Sequence, residues 1–166
     1  MQKDFDTWNG VKEQARIYAF IDASNIHYGS KDAGFTVDYA KLKSYLTSRF
    51  SVSRLFYFGA IDEAKEEELI FKEELLSLGY ELNLVHLKIF KDGRKKADTD
   101  SRMTFEMMKM LDEYDRAVVL SGDGDFYWIL EYIRGVKEKV WLIGMASRTA
   151  RDLTKLFGPN FIHLGN

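Results

Sequence analysis

Short runs of β-branched and aromatic residues alternate along the chain with longer stretches in which apolar positions follow a helical period. Runs of that kind read as buried strands and the stretches between them as amphipathic helices, so their order predicts strand-helix units and an α/β fold with a mainly parallel sheet. Strands are expected at 17–22, 52–59, 80–87, 117–121, 140–145 and 161–164, and helices at 38–50, 63–78, 99–114, 126–136 and 147–157. Gly79, Gly135 and Gly158 stand where helix stops are expected. Met103, Met107, Met110 and Leu111 recur at helical spacing and should face the core. The acid-rich run 62–74 reads as a solvated helix face rather than a metal cluster, because Leu69, Ile70, Leu75, Leu76 and Leu78 supply a stripe to bury.

Composition narrows the classes. A chain of 166 residues with 46% apolar and 14% aromatic residues can close a single core. With no repeat, low-complexity segment or linker, and its single proline at Pro159, the chain reads as one domain at 16–166 behind an N-terminal extension at 1–15. The 24 basic and 26 acidic residues leave a net charge of -2, so no global field draws the molecule to nucleic acid or an anionic membrane, and any polyanion must meet a local patch. The absence of cysteine removes disulfides, thiolate metal sites and cysteine nucleophiles. The first fifteen residues lack the apolar stretch of a signal peptide and no later run is long enough to span a bilayer, so a soluble, cytoplasmic protein without a membrane partner is expected. His27, His86 and His163 form no ligand constellation.

In open α/β sheets, ligands bind beyond the carboxyl ends of the strands where strand order reverses. Asp22 ends the apolar run Ile17-Tyr18-Ala19-Phe20-Ile21, and Ser121-Gly122-Asp123-Gly124-Asp125 ends Ala117-Val118-Val119-Leu120; the two loops become neighbours if the first strand pairs with the fourth. A third acidic segment, Asp98-Thr99-Asp100, opens the helix before that fourth strand, where carboxylates also serve as ordinary caps. Glu106 has helical spacing to pair with Arg102 and Lys109. Carboxylates gathered within ~4 Å repel by ~4 kcal/mol per pair at an effective dielectric of ~20, so such a cluster calls for a cation or a proton. Hard oxygen ligands suit Mg²⁺ or Mn²⁺, which can polarise a phosphoryl oxygen and activate water. A calcium EF-hand is excluded because Phe126, Tyr127 and Trp128 follow where further oxygen ligands would be needed.

The fragments Phe20-Ile21-Asp22-Ala23-Ser24-Asn25, Lys96-Ala97-Asp98-Thr99-Asp100 and Leu120-Ser121-Gly122-Asp123-Gly124-Asp125-Phe126 resemble, in order, the three signatures of NYN domains, the LabA-like branch of the PIN nuclease fold. The resemblance spans about residues 16–164. It implies a Rossmann-like three-layer sandwich and Mg²⁺- or Mn²⁺-dependent hydrolysis of phosphodiester bonds, usually in RNA. Carried over by position, Asp22, Asp100, Asp123 and Asp125 are the expected catalytic and metal-binding residues, with Asn25 and Ser121 as substrate contacts. Asp98 competes with Asp100 for the second motif; Asp100 is preferred because Glu106 then falls where the family often has another acid. A haloacid dehalogenase-like phosphatase would need aspartate where Ser24 stands, and a Toprim domain glutamate where Asp22 stands.

Lys88, Lys91, Arg94, Lys95 and Lys96 crowd the segment leading into the second motif, opposed by Asp92 alone. They read either as a solvated loop or as a track for a phosphate backbone, with Lys91, Arg94, Lys95 and Lys96 the expected substrate contacts. Tyr28, Phe90 and Tyr127 are candidates to stack on bases. The expected activity is that of a metal-dependent ribonuclease on single-stranded or structured RNA, and the alternative is a noncatalytic RNA-binding or protein-interaction module that keeps the acidic pocket. The oligomeric state stays open, a homodimer included.

Overall fold

The structure, a computed structural model, describes residues 14–86, 88, 89, 93, 95, 96 and 98–165. In chain order the elements are β1 (Ile17–Asp22), α1 (Ala23–Asp32), α2 (Tyr39–Phe50), β2 (Arg54–Gly59), α3 (Glu66–Ser77), β3 (Tyr80–Leu84), β4 (Lys88–Ile89) and β5 (Lys95–Lys96). They continue with α4 (Thr99–Lys109), β6 (Arg116–Leu120), α5 (Tyr127–Val136), β7 (Lys139–Gly144), α6 (Arg151–Phe157) and β8 (Phe161–His163).

Six strands form one parallel sheet in the order β3-β2-β1-β6-β7-β8, while β4 and β5 pair antiparallel as a separate ribbon. Strand β1 lies between β2 and β6, so successive units wind one way from β1 to β3 and the other way from β6 to β8. The crevice at that reversal opens beyond the carboxyl ends of β1 and β6.

The sequence of β1 explains its place, because all six of its residues are buried and both faces are apolar, as a central parallel strand requires. Ile17, Ala19 and Ile21 point to the layer built by α1, α2 and α3, where they meet Ile26, Leu46 and Leu75. Tyr18 and Phe20 point to the layer of α4, α5 and α6, where they meet Met103, Met107, Leu130 and Phe157. Each fully buried large side chain contributes roughly 1.5–3 kcal/mol of transfer free energy, and emptying a site such as Phe20 costs ~3–5 kcal/mol. The arrangement is the expected three-layer α/β sandwich.

Local details depart from expectation. Helix α1 occupies a stretch with no predicted element, because its apolar side chains are few; Ala23, Ile26, Gly29 and Ser30 are its buried residues. Strand β3 ends at Leu84, and part of the basic segment that follows forms β4 and β5. The fourth helix ends at Lys109 and passes into a short 3₁₀ turn at Leu111–Glu113. The buried stripe of α3 is Leu75 with Phe71 and Leu78 packed beside it, whereas Leu69, Ile70 and Leu76 face outward. Helix α6 begins at Arg151 because 147–150 turn back to the site loop, with the Ala150 N–H donating to the Gly122 carbonyl at 2.9 Å. Gly79 and Gly158 do close helices, at φ 84° and 49°, but Gly135 lies within α5.

Candidate functional site

The β1–β6 register pairs Ile21 with Leu120 and thereby sets Asp22 beside Ser121. The Asp22 side chain is 3% exposed and acts as the N-cap of α1, accepting the Asn25 N–H at 3.2 Å. Its second oxygen accepts the Ser121 hydroxyl at 2.8 Å. Ser121 Oγ in turn accepts the Asp123 N–H at 3.1 Å, and Asn25 Oδ1 accepts the Gly122 N–H at 2.8 Å. These bonds stitch the loops after β1 and β6 into one frame, in which Asn25 Oδ1 and Ser121 Oγ are both engaged.

Asp123 caps the short turn Gly124–Phe126 ahead of α5, its Oδ1 accepting the Asp125 N–H at 2.9 Å. Gly122 is required by close approach: a Cβ there would lie 2.6 Å from the Arg148 carbonyl oxygen and 2.8 Å from the Thr149 Cα. At the start of α4, Asp98 is the N-cap, its side chain accepting the Ser101 N–H at 3.4 Å, while Asp100 sits in the first turn. The two acids of the second motif thus divide the roles between them.

Oxygens of Asp100, Asp123 and Asp125 all lie within 4.8 Å of one another. Asp22 stands outside that triplet, joined to it through Ser121 and through the charges of Asp100 and Asp123. Burial pushes the Asp22 carboxyl up to about 6; the negative charges of Asp100 and Asp123 add to this, and the Ser121 and Asn25 hydrogen bonds oppose it. Burial, then the charges of Asp123, Asp125 and Asp98, raises the Asp100 carboxyl as well. The N-termini of α1, α4 and α5 all point into this crevice and supply partial positive charge. Among the described residues, none of Asp22, Asp100, Asp123 and Asp125 makes an ion pair with a basic side chain.

Three carboxylates in mutual reach, with no nitrogen or sulfur donor, match the oxygen preference of Mg²⁺ or Mn²⁺. Glu106, by contrast, is buried but neutralised by Arg102 at 2.8 Å and Lys109 at 3.6 Å, and lies outside the triplet. Lys91, Arg94 and Phe90 lie outside the described residues, and of Lys95 and Lys96 only the backbone, in β5, is described. The Tyr127 hydroxyl donates to Glu131 at 3.2 Å on α5.

A cavity of about 1240 Å³ is lined by Ala23 and Thr99, the chain neighbours of Asp22 and Asp100. One wall is the face of α1 bearing Ser24, His27, Tyr28 and Lys31, and the lining reaches Thr99, next to Asp100. Of these only Tyr28 was singled out from the sequence. The i, i+3, i+4, i+7 spacing of the four would have marked a common face had a helix been predicted there.

A six-stranded parallel sheet with helices on both faces and aspartates gathered at its reversal point is the arrangement expected of NYN domains, and the NYN domain model matches residues 16–164; the chain belongs to that family. Low amplitude and bright protein LabA of Synechococcus elongatus is 28% identical over 148 residues, covering 84% of this chain and 78% of that protein. The crystal structure of VPA0982, a protein of unknown function from Vibrio parahaemolyticus RIMD 2210633, superimposes with a TM-score of 0.80 at 25% identity, covering 100% of this chain and 98% of that one. Among the described residues no helix is long and apolar enough to cross a membrane.

Proposed function

We propose that the chain is a metal-dependent nuclease acting on RNA, with Asp100, Asp123 and Asp125 as principal ligands of Mg²⁺ or Mn²⁺ and Asp22 as the fourth acid of the site. The observation that carries this reading is the triplet of carboxylates within 4.8 Å, beside a buried aspartate and without a basic partner among the described residues. When bound, the ion would supply charge neutralisation at the phosphoryl oxygens and a coordinated water more acidic than bulk water.

The chain's own contribution is positional. Ser121 and the Asn25 N–H hold the Asp22 carboxylate in one orientation, and the Asn25 side chain fixes the backbone of the β6 loop at Gly122. Asn25 and Ser121 therefore act as positioning residues in this reading. Gly124 lets the loop beside Asp123 and Asp125 pack closely on Ala150, whose Cβ would lie 3.2 Å from a Cβ added there. Lys91, Arg94, Lys95 and Lys96 would bind the phosphate backbone.

Cleavage of labelled single-stranded RNA and DNA, with and without Mn²⁺ and with Asp22→Asn as control, tests the reading. RNA cleavage that needs both Mn²⁺ and Asp22 is expected. Binding without Mn²⁺-dependent cleavage would favour a noncatalytic RNA-binding module instead.

A further inference from the structure

The cavity of about 1240 Å³ is larger than the ~300–1,000 Å³ typical of a small-molecule pocket. None of the four acids lines it, but its lining includes Ala23 and Ser24, which follow Asp22 directly, and Thr99, which precedes Asp100, so one end lies next to the segments that carry those two acids. The other end reaches Phe35, beyond the end of α1. Between them the α1 face from Ser24 to Lys31 runs ~10 Å at 1.5 Å per residue.

The lining chemistry differs from that of the cluster. Its α1 wall offers the Lys31 ammonium, the His27 imidazole, the Ser24 hydroxyl and the Tyr28 ring, and Phe35 adds a second ring. Its one acid among the described residues, Glu68, is engaged elsewhere, accepting the Asp62 N–H and pairing with Lys65 at 3.0 Å. Tyr28 is 52% exposed, yet its ring is oriented by the Arg148 guanidinium 5.8 Å from its centroid, and Arg148 is itself paired with Asp32. Phe35 is 37% exposed and lies beside Gly165, where an added Cβ would come within 3.3 Å of its ring.

A groove with oriented, half-open aromatic rings and an ammonium on its wall suits a ligand that carries planar faces and anionic phosphates in alternation. Bases can stack on side chains only when they are neither paired nor stacked in a helix. We propose that this groove is the binding track for an unpaired stretch of RNA leading to the acidic cluster, with one base stacked on Tyr28, a neighbouring one near Phe35, and Lys31 facing the intervening phosphate. The proposal rests on the reading of the cluster as the place where the scissile phosphate lies, and it adds that the substrate must be single-stranded along α1.

The test is fluorescence anisotropy with a labelled ten-nucleotide single-stranded RNA and with its duplex, in Ca²⁺, using the whole chain and the Tyr28→Ala, Tyr28→Phe and Lys31→Ala variants. Thermal melts confirm that each variant folds. Expected results are preference of the parent for the single strand, about tenfold weaker single-strand binding in Tyr28→Ala, near-parent binding in Tyr28→Phe, and a salt slope lower by ~0.7 in Lys31→Ala. A parent that binds the duplex as tightly as the single strand, or Tyr28→Ala and Lys31→Ala variants that bind like the parent, would overturn the proposal. Mn²⁺-dependent cleavage measured in parallel keeps the two readings apart. Cleavage with groove-independent binding removes the track and leaves the nuclease, whereas groove-dependent binding without cleavage removes the nuclease and leaves the track.

Discussion

At the amino ends of the strands four acids among the described residues meet a guanidinium. Asp115 accepts from the Arg16 side chain at 2.9 and 3.2 Å, Arg54 spans Glu81 at 2.7 Å and Glu113 at 3.1 Å, and Arg116 pairs with Glu138 at 2.9 Å. At the carboxyl ends Asp22, Asp100, Asp123 and Asp125 face one another, and no basic side chain pairs with them among the described residues. The carboxyls respond in opposite senses: the Arg16 hydrogen bonds hold Asp115 down at about 2, and burial drives Asp22 up to about 6. Among the described residues, the acids of one rim are neutralised by their own side chains, while the other rim gathers acids in a group that could hold a cation.

The largest expected effect is on cleavage. Asp123→Asn should reduce Mn²⁺-dependent RNA cleavage by at least ~100-fold, the scale expected when one group stabilising transition-state charge is removed. Asp115→Asn, at the opposite rim, should cleave like the parent in the same assay. Equal loss in both would erase the distinction between the rims.

Stability without metal should move the other way. The native state holds a proton on Asp22 that the unfolded chain gives up near 3.8, so this carboxyl costs nothing well below pH 3.8, and its full cost appears above about pH 6. At pH 7 the cost is about 3 kcal/mol by linkage, and Asp22→Asn should recover about 1–3 kcal/mol of it in urea melts. Asp115 has the opposite sign, with a contribution present above pH 3.8 and lost as pH falls through about 2. Because its side chain is 31% exposed, solvent screening limits the loss in Asp115→Asn to about 1 kcal/mol. A destabilised Asp22→Asn protein at pH 7 would mean that its hydrogen bonds to Ser121 and Asn25 outweigh the buried charge.

Much of this layout was legible in the sequence because buried parallel strands are continuous apolar runs, and the acids that matter end them: Asp22 after Ile17-Tyr18-Ala19-Phe20-Ile21, and Asp123 after Leu120 and two small residues. The pairing of the first and fourth predicted strands, which makes those ends neighbours, stood in the sequence only as a condition and is met by the β1–β6 register. Helix α1 was not legible, since Ala23 and Ile26 are too few to set a period, and with it went the face of Ser24, His27 and Lys31. Nor was the exclusion of Asp22 from the carboxylate triplet, which depends on its burial and its capping of that helix. The outward Leu69, Ile70 and Leu76 of α3 show why composition misled: the helix is apolar on more than one face, and only packing chooses Phe71, Leu75 and Leu78.

The smallest effect concerns the basic segment. Replacing Lys91, Arg94 and Lys95 with alanine should weaken RNA binding and lower the salt slope by ~0.7 for each phosphate that is no longer neutralised, with no change in the melting temperature. An unchanged slope would return these side chains to the solvated-loop reading.

Calorimetric titration of Mn²⁺ into the parent, Asp123→Asn and Asp115→Asn proteins at pH 7 decides whether the acidic rim is a cation site. Saturable binding to the parent, the same binding to Asp115→Asn, and binding at least ~10-fold weaker to Asp123→Asn are expected if the ligands of the cation lie on the carboxyl rim. Equal Mn²⁺ affinity in the parent and Asp123→Asn, or no saturable binding to the parent, would contradict that reading.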